Sequence, residues 1–98
     1  MKFAQNIQFR TDRIDEFNAR LDDWKVATEG RRIPHRAVLQ RDRDAATVYL
    51  LTVVFESYER AMDNSSRPET GEFAAFLSEI SDGALTFRNL DVLREEDL

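Results

Sequence analysis

The chain contains no cysteine, so it has no disulfide framework, no thiolate metal site and no thiol nucleophile. It lacks an apolar run near the roughly 20 residues that cross a bilayer, and the stretch from Met1 to Arg10 is too short and too polar for a secretory signal. A cytoplasmic protein is the expectation. The only glycines, Gly30, Gly71 and Gly83, are too widely spaced for a phosphate-cradling loop. Positive charge is also scarce. A net charge of −5 argues against nucleic acid, whose phosphates need a Lys/Arg surplus, and against an anionic membrane surface. One histidine, His35, and no Ser-His-Asp grouping leave little conventional catalytic equipment. The adjacent acids Asp22-Asp23 and Glu95-Glu96 point apart and make neither a hydrolytic pair nor a metal site, so no metal and no cofactor are expected.

What is present is patterned. Hydrophobic residues make up 42% and charged residues 34% of 98 residues, which suits one soluble domain spanning 1–98 with a modest core. From Lys2 to Arg10, Phe3, Ile7 and Phe9 alternate with polar positions, the period of a half-buried strand. Thr11 or Asp12 is expected to cap a helix carrying the stripe Ile14, Phe17, Leu21 and Trp24, with Gly30 at its C′ position. Pro34 makes Ile33 extended, and His35 to Arg41 reads as a second strand. Asp42, Arg43 and Asp44 suit a hairpin turn into Thr47–Phe55, the most apolar segment, whose two parities both call for cover. Ser57 is expected to cap a short helix broken at Asn64-Ser65-Ser66. Pro68 opens another helix, striped by Phe73, Phe76, Leu77 and Ile80, which Gly83 ends. Leu85 to Leu93 is the last strand, before a charged, solvated tail.

This order maps onto an α+β, ferredoxin-like β-α-β-β-α-β fold: a four-stranded antiparallel sheet with strands one and three central and the helices on one face. The other face then exposes aliphatic residues of the third strand, Val48, Leu50 and Val54, or the opposite parity. Such a patch usually marks an interface, so a homodimer through the sheet face is expected.

The layout, the length and the doubly apolar third strand resemble the dimeric α+β barrel superfamily, which includes antibiotic-biosynthesis-monooxygenase-like domains. The run EGRRIPHRAVLQRDRDAATVYLLTVVFESYERAMDNSSRPETGEFAAF resembles actinobacterial members with this architecture. The resemblance implies two sheets joined as a barrel and, in each subunit, a ligand cleft between sheet and helices. Haem-degrading relatives use an Asn, a Trp and a His, the His lying on the second helical segment. Asn6 could serve as the first, but Ser57 to Ile80 offers neither Trp nor His, so the resemblance does not extend to haem turnover.

Candidate site residues follow from residue type. His35 is a candidate general base, because histidine ordinarily titrates near neutral pH. Arg31, Arg32, His35 and Arg36 form the one positive cluster and could orient a carboxylate or phenolate, or else pair with Asp22, Asp23 or Glu29. Trp24, Tyr49, Phe73, Phe76 and Phe87 could line a pocket for a flat molecule, or simply fill the core. Asn6, opposite in parity to Phe3, is a further polar candidate, or faces the barrel interior. Two functions are compatible with these residues: binding of a small organic ligand, and cofactor-free monooxygenase chemistry on an aromatic or polyketide-like substrate. An RNA-binding module of the same strand order is excluded, because the third strand is aliphatic and the protein acidic. A polar group directed into an otherwise apolar cleft would separate an enzyme from a purely structural dimer.

Overall fold

The computed structural model describes residues 1–98. Its elements are β1 (Phe3–Arg10), α1 (Ile14–Ala27), β2 (Arg36–Arg41), β3 (Val48–Phe55), α2 (Tyr58–Ser65), α3 (Pro68–Ile80) and β4 (Thr86–Asp91). The strands form one antiparallel sheet in the order β2-β3-β1-β4, with the two most apolar strands in the centre. All three helices lie on one face. No helix is long and apolar enough to cross a membrane.

Local chemistry explains most boundaries. Asp42 Oδ1 accepts from the Asp44 N–H at 2.8 Å, and the Asp42 N–H donates to Val48 O at 2.9 Å, closing the β2-β3 hairpin. Ser57 Oγ accepts from the Arg60 N–H and caps α2, and Pro68 opens α3 where a missing N–H costs little. Gly83 adopts φ +82°, a left-handed turn after α3 that would strain any residue with a Cβ.

Some boundaries differ from the sequence expectation. Neither Thr11 nor Asp12 caps α1; the cap position falls on Arg13, without a side-chain cap bond. Thr11 is instead drawn inside. Its hydroxyl donates to Ile80 O at 2.6 Å and accepts from the Arg13 N–H at 3.0 Å, tying the end of β1 to the end of α3. At the other end of α1 the cap is Thr28, so Gly30 lies one residue beyond C′. Asn64 and Ser65 do not break α2, which runs through Ser65, and β4 is shorter than Leu85–Leu93.

The register assigns the faces. Phe3, Ile7 and Phe9 of β1 and Tyr49, Leu51 and Phe55 of β3 point towards the helices and are buried. The core is divided in two. One cluster joins Ile7, Phe9, Tyr49 and Leu51 to Phe17, Leu77 and Ile80, with Phe9 stacked between Phe17 and Tyr49 at 5.5 and 5.7 Å. The second joins Phe3, Ile33, Phe55 and Ala61, and Val53 packs on both.

The opposite face carries Ala4, Val38, Val48, Leu50, Val54 and Leu90, with no element above it. Leu90 is 43% exposed. A polar line crosses this face, where Asn6 Nδ2 donates to Thr52 Oγ1 at 3.0 Å and the Thr52 hydroxyl reaches Gln40 Oε1 at 3.5 Å.

Candidate functional site

A cleft of about 460 Å³ opens between the sheet and the helices, in the gap that separates the two core clusters. Its floor is Gln5, Ile7, Leu51, Val53 and Phe55. Leu21 and Trp24 of α1 and Phe73, Ala74 and Leu77 of α3 form its roof. Eleven of the nineteen lining residues are hydrophobic, the composition of a site for an organic molecule fixed by a few polar groups.

Of the residues singled out from sequence, Trp24, His35, Arg36, Phe73 and Phe87 all border this cleft. Tyr49 does not. It faces the helices one turn of the pleat away, is 7% exposed, and packs on Phe9 inside the larger core cluster. Phe76 is likewise outside the lining, beneath the Arg20 guanidinium at 5.0 Å.

His35 and Arg36 part company at the entrance to β2. The His35 N–H donates to Val54 O at 2.8 Å, so His35 stands in ladder register just before the strand. It shares parity with Ala37, which pairs with the cleft residue Val53. Arg36 pairs with Val54 and therefore has the parity of the open sheet face. It borders the cleft at its root.

The positive cluster also divides. Arg31 pairs with Glu69, at the start of α3, and not with Asp22, Asp23 or Glu29. The Glu69 carboxyl is held below its ordinary range by the backbone N–H at its own helix start, and next by the Arg31 guanidinium. Arg32 folds back on the end of α1. Its Nε donates to Thr28 Oγ1 at 3.2 Å and its Nη2 to Lys25 O at 2.7 Å, while its guanidinium lies 5.4 Å from the Trp24 ring centroid. Thr28 Oγ1 in turn donates to Trp24 O at 2.7 Å. The terminal turn of α1 thus holds Trp24 as a fixed wall of the cleft. The Trp24 indole N–H has no protein acceptor.

Asn6 lies on the far side of the sheet from the cleft, bonded to Thr52, so it cannot reach a ligand there. The β1 amide that does is Gln5. Asn64 was not legible as a site residue, since beside Ser65 and Ser66 it reads as a helix breaker. It is 8% exposed in α2, lines the cleft, and its side-chain amide has no protein partner. The residue is buried but its amide atoms are not: they reach the cleft surface, where water or a ligand can satisfy them. Its signal in the sequence is faint: a polar residue three positions after the buried Ala61, on the same helix face.

No protein-family model matches the chain, and no curated protein matches it significantly. Solved structures do match. Rv0793 from Mycobacterium tuberculosis superposes with a TM-score of 0.76 at 16% identity, covering 99% of this chain and 100% of its own. An asparagine-to-alanine variant of SnoaB, a cofactor-independent oxygenase from Streptomyces nogalater, gives 0.79 at 15% identity, covering 96% and 95%. A candidate antibiotic biosynthesis monooxygenase from Caulobacter crescentus CB15 gives 0.78 at 14%, covering 95% and 91%. The likeness at these identities is one of fold. The chain has the ferredoxin-like α+β architecture of antibiotic-biosynthesis-monooxygenase proteins.

Proposed function

We propose that this protein binds a small, largely apolar organic molecule in the cleft between sheet and helices, as a homodimer joined through the open sheet face. The observation that carries the reading is the divided core. A domain of this size has little apolar surface to spare, yet about 460 Å³ between its two clusters is left for a guest. The walls are rigid aromatics, and Gln5 and Asn64 offer amides with no protein partner. Thermal-shift screening of aromatic and polyketide-like compounds tests it. Ligands should raise Tm in the natural protein and not in Ala74→Trp, which fills the cleft from α3. Shifts that survive Ala74→Trp would place the ligands elsewhere and defeat the reading.

The open face supports the dimer. Val38, Val48, Leu50 and Val54 are partly exposed in the single chain and adjoin the exposed Leu90. Light scattering should give twice 11.4 kDa.

A second reading, a cofactor-free monooxygenase acting on an aromatic or polyketide-like substrate, is favoured by Asn64 and by the fold shared with SnoaB. In this reading His35 takes a proton from an acidic ring methylene, and the Asn64 amide donates to the oxyanion that develops. Dioxygen is the oxidant. One oxygen atom replaces the two methylene hydrogens as a carbonyl, and the other leaves with them as water. Oxygen uptake on a panel of polycyclic phenols, lost in Asn64→Ala, supports this reading. Binding without uptake leaves the protein a binder.

A further inference from the structure

The charges around the cleft are not distributed like those of the whole molecule. Acids outnumber Lys and Arg by 19 to 14 in the chain, yet the lining holds Lys25, Arg32, His35 and Arg36 and no Asp or Glu. Three acids of the neighbouring helices lie on the other side of the Trp24–Phe73 wall. There an outer groove of about 190 Å³ gathers Asp23, Glu69 and Glu72 with Arg20. Trp24 and Phe73 belong to both, so two aromatic rings separate an acidic outer groove from a basic inner cleft.

The basic residues of the lining are also under-used. Lys25 makes no ion pair and the His35 imidazole makes no hydrogen bond. Arg32 commits two of its five N–H donors, both to the end of α1, and pairs with no carboxylate. Arg31, the neighbouring residue that does find an acid, points to Glu69 and is outside the lining. Glu95, held by Lys2 at 2.9 Å, is outside the lining too, though its carboxylate also feels the charges of His35 and Arg36. The Lys25 and Arg32 charges stand exposed at the rim of an apolar cleft, where an anion meets them while its rings leave water.

We propose that the cleft selects a flat, mostly apolar monoanion such as an aromatic carboxylate, with its rings against Trp24, Phe73 and Phe87, its charge at Lys25 and Arg32, and a hydrogen bond from the His35 imidazole. The inference rests on the cleft being the ligand site and adds the ligand's charge and its orientation. Arg36 contributes only long-range attraction, since its parity turns it to the open face.

The test compares two fluorescent probes of nearly one shape, 8-anilinonaphthalene-1-sulfonate and the uncharged N-phenyl-1-naphthylamine, on the full-length protein at low salt. The sulfonate should bind about tenfold more tightly, as charge-assisted contacts add about 1.4 kcal/mol or more. Lys25→Gln combined with His35→Gln should remove most of that difference while leaving the neutral probe within about twofold. Arg32 is left in place because it holds the end of α1. Equal affinities, or a sulfonate preference untouched by the double variant, overturn the proposal and leave the cleft as a site for neutral ligands. If Ala74→Trp displaces neither probe, the cleft reading itself fails and takes this inference with it.

Discussion

Replacing Leu50 with Asp tests the open sheet face most directly. Leu50 lies opposite Gln8 of β1 and Gln40 of β2, on the parity shared with Val48 and Val54. In the single chain it is only partly exposed, so the change costs the monomer some packing as well. In a face-to-face dimer the same position is covered in both subunits. Fully burying an exposed Leu side chain is worth about 1.5–3 kcal/mol; the partly exposed Leu50 has about a third of that left to bury, and twofold symmetry applies the loss twice, about 1–2 kcal/mol per dimer. At 1.4 kcal/mol per decade that alone weakens association by roughly one decade. Two carboxylates taken from water between the sheets add several kcal/mol more. Sedimentation velocity across a hundredfold concentration range, with circular dichroism on the same samples, should find a folded monomer, or a chain that unfolds without its partner. A folded dimer of unchanged affinity would refute the assignment of this face, whatever the cleft binds.

Other perturbations follow from the same geometry. Phe17→Ala removes a fully buried ring packed on Phe9 and T-shaped to Phe73 at 5.6 Å; urea unfolding should show a loss of about 3–5 kcal/mol. Thr11→Val keeps the shape but strands the Arg13 N–H and a lone pair of Ile80 O, so a loss of about 1–3 kcal/mol is expected, and a neutral result would mean that water replaces the hydroxyl. His35→Ala should leave stability within about 0.5 kcal/mol, because only the backbone of His35 is bonded; a loss of several kcal/mol would make the imidazole structural. Glu16, Glu69 and Glu95 are all more acidic folded than their ordinary 4.5. Their contribution is therefore complete above about pH 5 and disappears as pH falls through the depressed folded values. Glu69→Gln should flatten urea midpoints measured between about pH 5 and pH 3, and an unchanged slope would remove Glu69 from the acid response.

The order of elements, the central place of β3 and the unpartnered sheet face were all legible in the sequence, because strand and helix periods are local properties of the chain. Ser57 and Pro68 mark helix starts for the same reason: a cap hydroxyl or a missing N–H acts within one turn. The site was legible only as residue types. Trp24, His35 and Phe73 are chemically distinctive, and their helix or strand phase turns them inward. Tyr49 has the same phase, and only packing decided that it fills the core while Phe73 borders the cleft. Asn64 looked like a helix breaker, and its burial depends on how α2 seats against the sheet. Arg31 faces Glu69 across 38 positions of sequence, and Arg36 is separated from His35 by a single step of the pleat. No periodicity encodes the first, and register alone sets the second, because a one-residue shift exchanges the faces. The division of the core into two clusters, and with it the existence of a cleft, is a property of the assembled layers and of no segment within them.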